Sequence, residues 1–170
     1  MIRVEQPQDF TTIKQVNDLA FEQEGESNLI AKLRTTDTFI PELSLVFENE
    51  QREIVGHILF SLISIETAQG SVESLALAPV AVKPSAQNKG IGSALIWEGL
   101  KRSEELGYDS VVVLGHSSYY PKFGFISASD KGIKAPFDVP DEAFMVIELR
   151  QGTLDGVKGT VSYPPAFSEV

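Results

Sequence analysis

A glycine-containing turn between a strand-like segment and an amphipathic helix constrains this chain more than any other feature. Residues 82–92 read Val-Lys-Pro-Ser-Ala-Gln-Asn-Lys-Gly-Ile-Gly, so Gln87, Gly90 and Gly92 form a Gln-x-x-Gly-x-Gly pattern directly before the helix. Glycine lets the backbone approach a ligand closely, and the first turn of a helix presents unpaired N–H groups with a partial positive charge. The pattern therefore predicts an anion site suited to a pyrophosphate.

The segments that flank this turn predict a strand–helix–strand crossover. Residues 71–82 have the character of a strand, and Pro79 interrupts its hydrogen-bond ladder, which implies a bulge or a frayed edge. The helix carries inward apolar residues to about Leu106, and Gly107 is suited to end it. Residues 110–114 form a short β-branched run that is typical of a buried strand. Because a helix separates the two strands, we expect them to lie parallel.

The rest of the chain predicts further elements around this crossover. We expect strands at residues 2–5, 43–48, 53–65 and 143–149, and helices at about residues 9–21 and 28–35. A length of 170 residues suits one domain, which we place at residues 1–150. Residues 151–170 are rich in glycine and proline and show little periodicity, so we expect a tail that packs on the domain or is partly disordered.

The charge of the chain bears on its partners. There are 14 basic and 24 acidic residues, which gives a net charge of −10. Such a surface repels nucleic acids and anionic membranes, so we expect neither as a partner. It mildly attracts cations such as amines, although solubility alone is the more common reason for such a charge.

Cysteine and histidine usage narrows the chemistry. The chain has no cysteine, which excludes disulfides, thiolate metal sites and a cysteine nucleophile. Two histidines are too few for a histidine-rich metal site, so no metal is expected. No apolar run approaches the ~20 residues of a membrane span, and charges and Pro7 interrupt any signal-like segment near the first residue. We therefore expect a cytoplasmic protein.

Three blocks of residues together resemble the GNAT superfamily of acyl-CoA-dependent N-acetyltransferases, and within it the small bacterial YhbS-like branch. They are Leu-Ala-Leu-Ala-Pro-Val-Ala-Val-Lys-Pro (75–84), Gln-Asn-Lys-Gly-Ile-Gly-Ser-Ala-Leu-Ile (87–96) and Leu-Gly-His-Ser-Ser-Tyr-Tyr-Pro-Lys-Phe-Gly-Phe (114–125). The resemblance covers about residues 1–150. It implies an α/β fold of mixed α+β character. In that fold a twisted mixed sheet of six or seven strands, flanked by helices, splits into a V at the acetyl-CoA site.

The resemblance also implies where acetyl-CoA would bind. Its pantetheine arm would lie in the gap of the sheet and pair with the strand backbone at residues 80–82. The pyrophosphate would take backbone N–H groups of the glycine turn, and His116 would contact pantetheine or relay a proton. The cofactor residues implied in this way are Val80, Ala81, Val82, Gln87, Asn88, Lys89, Gly90, Ile91, Gly92, Ser93 and His116.

Two side chains are candidates for acid–base catalysis. Tyr120 matches the position at which many members of the superfamily place a tyrosine near the thioester sulfur, where a phenol can protonate the departing thiolate. Glu73, on the strand before Pro79, is a candidate base that would act directly or through water. Each has a structural alternative, namely aromatic packing for Tyr120 and a solvent-facing strand carboxylate for Glu73. His57 lies in an apolar strand, where a buried structural histidine is the more common outcome.

The expected activity is the acetyl-CoA-dependent acetylation of a primary amine, on a small molecule or a peptide, by direct attack in a ternary complex. The acceptor would bind between residues 21–33, which carry Glu22, Glu24 and Glu26, and residues 127–141. Two alternatives stay open: a non-catalytic acyl-CoA-binding or sensing module, and an enzyme that acetylates protein lysines or N-termini. A homodimer is implied only by the resemblance.

Overall fold

The computed structural model describes residues 1–169, which form one mixed sheet with helices on both faces. The helices are α1 (Phe10–Phe21), α2 (Gly25–Leu33) and α3 (Ile91–Glu105). The strands within this range are β1 (Ile2–Val4), β2 (Phe39–Glu48), β3 (Ile54–Thr67), β4 (Gly70–Val82), β5 (Ser110–Leu114), β6 (Ile126–Ser127), β7 (Ile133–Lys134), β8 (Phe144–Glu148) and β9 (Gly159–Ser162). The fold class expected from the sequence is confirmed.

The sheet follows the order β1-β2-β3-β4-β5-β8-β6, and β9 pairs with both β3 and β7. Strands β1 to β4 are antiparallel neighbours, whereas β4 and β5 are parallel. The described part of the chain has nine strands rather than the expected six or seven, because β6, β7 and β9 are only two to four residues long. Strands this short leave little periodic signal in a sequence.

Apolar side chains on the two faces of the sheet hold the helices in place. On one face, Leu95 and Leu100 of α3 pack against Phe60 and Leu75 of the central strands. On the other face, α1 and α2 contribute a separate apolar cluster that includes Leu59. Phe60 and Leu59 are consecutive residues of β3, so they point to opposite faces. This alternation explains how β3 supports helices on both sides.

Strands β4 and β5 diverge after a very short region of pairing. They pair only at Leu75 with Val111 and at Ala76 with Val112. Beyond that point β4 bulges away: Phe60 of β3 lies opposite Leu77, but Ile58 lies opposite Val80. The extra residue falls at Ala78–Pro79, so the expected interruption at Pro79 is confirmed, as is the parallel crossover. The divergence opens a gap in the middle of the sheet.

The segment after residue 150 takes part in this architecture. Strand β9 pairs antiparallel with the end of β3, from Ser64 with Ser162 to Thr67 with Gly159. Leu154 is buried in the same apolar cluster as residues of β5 and β8. A 3₁₀ helix at Pro165–Glu169 packs against α2 and brings Phe167 to the gap in the sheet. Within residues 1–169, no helix combines the length and apolar character that a membrane crossing requires.

Candidate active site

A cleft of about 860 Å³ opens where β4 and β5 diverge, and we call it the loop cleft. It is bordered by the backbone of β4, the glycine turn and the start of α3. Its lining includes every cofactor residue expected from the sequence except Lys89, namely Val80, Ala81, Val82, Gln87, Asn88, Gly90, Ile91, Gly92, Ser93 and His116. The structure therefore brings together in one cavity residues that lie up to 36 positions apart in the chain (116 − 80 = 36).

The glycine turn presents a set of backbone N–H groups to this cleft. Gly90 is the N-cap of α3 and has a φ of 81°, and Asn88 has a φ of 64°. Both values lie in the left-handed region, which glycine and, less readily, asparagine adopt. No backbone N–H of residues 88–93 has a hydrogen-bond partner within the described chain, and the first amide to find one is that of Ala94, on Gly90 at 3.0 Å. Together with the N-terminus of a 15-residue helix, these donors form an anion site.

Two side-chain hydrogen bonds fix the turn in place. Gln87 Nε2 donates to the carbonyl of Val82 at 3.0 Å, which ties the turn back onto β4. At the other end of the turn, the hydroxyl groups of Ser93 and Tyr119 lie 3.0 Å apart. These two hydrogen bonds fix the conformation of the turn, so little ordering cost is left for binding.

Lys122 is a cation beside the turn that lines the loop cleft. Lys89 is exposed and does not line the cleft, whereas Lys122 does. The Lys122 ammonium lies 4.2 Å from the centre of the Tyr119 ring, a cation–π geometry that holds the side chain over the cleft. The sequence analysis missed Lys122, although its spacing of three residues from Tyr119 in a helical turn would have placed the two side chains together.

A second cavity of about 380 Å³, which we call the inner cavity, continues from the loop cleft through the gap in the sheet. Phe21, Val80 and His116 border both cavities. His116 is exposed, at the point where the two meet. It is therefore the one imidazole in the described chain that borders these cavities.

Tyr120 lies in the wall of the inner cavity and is only 8 % exposed. Its ring makes edge contacts with the rings of Tyr119 and Phe125, at centroid distances of 5.2 and 5.7 Å. Burial, with a smaller contribution from the charge of Tyr119, raises the pKa of Tyr120 to about 12. The phenol therefore keeps its proton at neutral pH and is available as a hydrogen-bond or proton donor.

Position 115 must be glycine, because the ring of Tyr120 packs directly against its backbone. A Cβ atom at this position would come within 2.3 Å of Cε2 of the Tyr120 ring. The adjoining His116 carbonyl accepts hydrogen bonds from the backbone N–H groups of Tyr119 and Tyr120, at 3.1 and 3.3 Å. The residues Gly115–His116 thus set both the position of the ring and the start of the 3₁₀ helix at Tyr120–Phe123.

Glu73 is not brought to this site. It is exposed on β4 opposite Ser64 and lines none of the cavities described here. It lies six residues before Pro79, which is roughly 20 Å along a strand. The direct base role expected for Glu73 does not fit this position, because a base must come within hydrogen-bond reach of the amine or of one bridging water.

His57 belongs to a buried polar network and not to the cleft. Its Nε2 lies 2.9 Å from Ser44 Oγ, Ser44 donates to Glu5 at 2.5 Å, and Arg34 holds both oxygens of Glu5 at 3.0 and 2.8 Å. Asn17 Nδ2 lies 3.4 Å from Nδ1. Burial and the nearby charge of Arg34 lower the pKa of His57 to about 3, so the imidazole is neutral although Glu5 is 3.9 Å away. His57 therefore has a structural role.

The expected acceptor region is only partly assembled from the predicted segments. Of the three acidic residues considered there, Glu26 lines the inner cavity, whereas Glu22 is exposed and Glu24 pairs with Lys14 at 3.0 Å.

A third cavity, of about 220 Å³, adjoins the inner cavity through Leu77, Ala78, Leu114 and Phe167, and we call it the aromatic pocket. Its other lining residues are Ala76, Val112, Phe137 and Tyr163. The sequence analysis missed Tyr163 and Phe167, since only their aromatic character in an otherwise aperiodic tail marked them.

Among residues 1–169 there is no group of three or more histidine, aspartate or glutamate side chains placed to hold a metal ion. The described residues that line the loop cleft include one imidazole, that of His116, and no carboxylate, and its backbone N–H groups and Lys122 favour anions.

Comparisons with known proteins agree with this geometry. Residues 11–125 match the acetyltransferase (GNAT) family. The uncharacterized N-acetyltransferase YhbS of Escherichia coli strain K12 is 32% identical over 168 residues, covering 99% of this chain and 98% of YhbS. The uncharacterized N-acetyltransferase YjhQ of the same organism is 38% identical over 135 residues, covering 79% of this chain and 74% of YjhQ.

Two solved structures share the architecture. The crystal structure of YhbS from Escherichia coli in complex with CoA superposes with a TM-score of 0.91 at 30% identity, covering 99% of this chain and 91% of that one. The structure of a GNAT family acetyltransferase from Brucella melitensis in complex with acetyl-CoA gives a TM-score of 0.80 at 31% identity, covering 98% and 97%. Both likenesses extend over nearly the whole chain, so they include the loop cleft.

Proposed function

Since this chain belongs to the acetyltransferase (GNAT) family, we propose that it transfers the acetyl group of acetyl-CoA to a primary amine of a small molecule or a peptide. The observation that carries the proposal is the continuity of two cavities across the gap in the sheet. The loop cleft offers unpaired N–H donors to an anion. Tyr120 lines the inner cavity, and His116 borders both cavities where they join.

Acetyl-CoA would occupy the loop cleft. Its pyrophosphate would accept hydrogen bonds from the backbone of residues 88–93, and Lys122 would add a positive charge nearby. Pantetheine would lie along the free edge of β4, with Val80 and Val82 as its backbone partners. The Val82 carbonyl already accepts a hydrogen bond from Gln87, so its second lone pair would serve the ligand. The complexes of YhbS with CoA and of the Brucella enzyme with acetyl-CoA support this placement.

The reaction would proceed by direct attack in a ternary complex. The amine nitrogen bonds to the thioester carbonyl carbon, and a strand N–H near Val80 stabilises the oxyanion. When the C–S bond breaks, Tyr120 donates its proton to the sulfur and regains one from solvent. Before the attack the acceptor ammonium loses one proton through water to His116, which replaces Glu73 as the proposed base because it borders both cavities, and after the attack the nitrogen loses its second proton to solvent.

A non-catalytic acyl-CoA-binding module is the second candidate, and it would share the loop cleft without needing the Tyr120 hydroxyl. An enzyme that acetylates protein lysines or N-termini is the third. The cytoplasmic location, the absence of nucleic acid and membrane partners and a homodimer stay predictions from the sequence. Turnover with free amines separates the proposed function from the other two.

The first test is the change in melting temperature on adding acetyl-CoA, CoA or ATP to the wild type and to Gly92→Glu. Gly92 lines the loop cleft, and a Cβ there meets other atoms only at ordinary contact distances of 3.6 and 3.7 Å. A carboxylate in the first turn of α3 stabilises the helix but repels a pyrophosphate. We therefore expect Gly92→Glu to fold normally and to lose the response to both CoA species.

The matched control is Lys101→Gln, which changes the net charge by the same amount at an exposed position of α3. It should keep the full response, since it lies outside the cleft. Saturation at about 100 times the dissociation constant adds about 2.7 kcal/mol to the free energy of unfolding, so the wild-type shift is easily measured. A wild type that responds equally to ATP, or to none of the three ligands, would contradict the proposed cofactor site.

A further inference from the structure

The far side of the gap combines one carboxylate with apolar walls. The described residues that line the inner cavity include a single acidic side chain, Glu26, and no lysine or arginine. The aromatic pocket that adjoins it is lined within residues 1–169 by alanine, leucine, valine and aromatic side chains alone. An acceptor that reaches Tyr120 from this side therefore meets one negative charge and an apolar surface.

The aromatic pocket is built by packed rings. Phe137 and Tyr163 are stacked, with ring centres 6.0 Å apart and an angle of 14° between the ring planes. Tyr163 also contacts Phe167, with a centroid distance of 5.0 Å. Phe137 is 46% exposed, so part of its ring stays open to solvent beside the pocket. A bound apolar group would cover this exposed face.

Glu26 is placed to bind a cation. It lies in the first turn of α2 and is half-buried, and its two oxygens accept hydrogen bonds from Gln23 Nε2 at 3.0 and 3.2 Å. A carboxylate oxygen has lone pairs to spare after one such bond, so it can also accept from an ammonium. Glu26 shares the inner cavity with Tyr120, which places the ammonium near the proposed acyl transfer.

Resting on the proposed function, we infer that the acceptor is a monoamine with an apolar or aromatic body and no carboxylate. It enters as an ammonium bound to Glu26 in the inner cavity and becomes nucleophilic when it loses a proton through water to His116, while its body fills the aromatic pocket. A free α-amino acid fits poorly, because its carboxylate would enter cavities that no described lysine or arginine lines. A diamine or polyamine fits poorly as well, because its second ammonium would lose its water in a pocket where no described residue offers a carboxylate, and a cation–π contact with the rings offsets only part of that cost. Burial of an unpaired charge is strongly unfavourable in each case.

The test compares acetylation of four probes, chosen to vary the charge and the apolar body of the amine. Phenethylamine carries the expected ammonium and aromatic body, free phenylalanine adds a carboxylate, putrescine replaces the ring with a second ammonium, and a lysine-containing peptide represents protein acceptors. Release of free CoA thiol at saturating acetyl-CoA gives kcat/KM for each probe. We expect phenethylamine to exceed phenylalanine and putrescine by at least about tenfold, the value of one charge-assisted contact.

Glu26→Gln tests the role of the carboxylate itself. We expect it to raise the KM of phenethylamine by about tenfold and to leave the KM of acetyl-CoA unchanged. Glu22→Gln is the matched control, since it removes the same charge from an exposed position outside the cavities, and it should behave as the wild type. The melting temperature of each variant verifies that it is folded.

The outcomes separate this inference from the proposed function. Preference for putrescine, phenylalanine or the peptide, with acetyl-CoA bound and turned over, would overturn the inferred acceptor class and leave the acetyltransferase function intact. An unchanged KM of phenethylamine in Glu26→Gln would remove Glu26 from the acceptor site. No binding of acetyl-CoA would instead count against the proposed function itself.

Discussion

Tyr120 is the residue at which the proposed chemistry can be tested most directly. Phenylalanine at this position keeps the ring contacts with Tyr119 and Phe125 and removes only the hydroxyl. Because the hydroxyl would act only when the thiolate departs, we expect Tyr120→Phe to lower kcat by about 10²–10⁴-fold without changing the affinity for acetyl-CoA. Steady-state kinetics with the preferred amine and the melting-temperature shift with acetyl-CoA measure the two quantities.

The pH dependence adds a second criterion for Tyr120. Since its pKa is raised to about 12, the phenol stays protonated through the alkaline range in which most enzymes are assayed. The wild-type rate should therefore show no loss from ionisation of Tyr120 below about pH 11. If Tyr120→Phe keeps the full kcat, the hydroxyl has only a packing role.

His57 makes a different kind of contribution, to stability as a function of pH. Its pKa is about 3 in the folded state, against 6.5 for a solvated histidine, so between these values the unfolded chain binds a proton that the folded chain does not. The contribution of neutral His57 to the free energy of unfolding is therefore fully present above pH 6.5 and is lost as the pH falls toward 3. In His57→Gln, the dependence of unfolding free energy on pH between about pH 6 and about pH 4 should be shallower by up to about 1.4 kcal/mol per pH unit.

Urea unfolding at several pH values measures this slope. Ser61→Ala is a suitable control, because Ser61 is buried on the same strand, its hydroxyl has no partner within the described chain, and it does not titrate. It should leave the slope unchanged. An identical slope in His57→Gln would mean that the imidazole is not held neutral in the folded state.

At the scale of elements, local signals explain which parts of the fold the sequence predicts. The sequence predicts the crossover from β4 through α3 to β5 because its helix has an apolar face, a glycine N-cap and a glycine after its end. The sequence also predicts the bulge at Pro79, because proline has no backbone N–H to donate to the hydrogen-bond ladder of the sheet. The glycine turn and β4 together supply most of the loop cleft, so the cofactor side of the site is local in sequence.

The acceptor side is not local, and the sequence predicts it less well. Strand β9 pairs with β3 across almost 100 residues, and its neighbours are aperiodic. The walls that Tyr163 and Phe167 provide depend on that pairing. The exclusion of Glu73 likewise depends on how far along β4 the sheet opens, which the pairing with β5 determines. Such information lies in tertiary contacts rather than in periodicity or turn composition.

At the scale of the whole molecule, the net charge of −10 acts in opposite directions on the two proposed substrates. A negative surface attracts a cationic amine and repels an anionic acyl-CoA, and salt screens both effects, with a Debye length of about 10 Å at 0.1 M. Raising the ionic strength from about 0.02 to about 0.5 M should therefore raise the KM of the amine and lower that of acetyl-CoA, each by a few-fold.

The opposite signs make this prediction specific. Ion binding in the loop cleft would raise the KM of acetyl-CoA, and a general loss of activity would lower kcat, so neither imitates the expected pattern. Measurements in two salts with different anions distinguish screening from competition at the glycine turn, because only competition depends on the anion. If the KM of the amine does not rise with ionic strength in either salt, the acidic surface contributes to solubility alone, and amine selection rests on the cavity around Glu26.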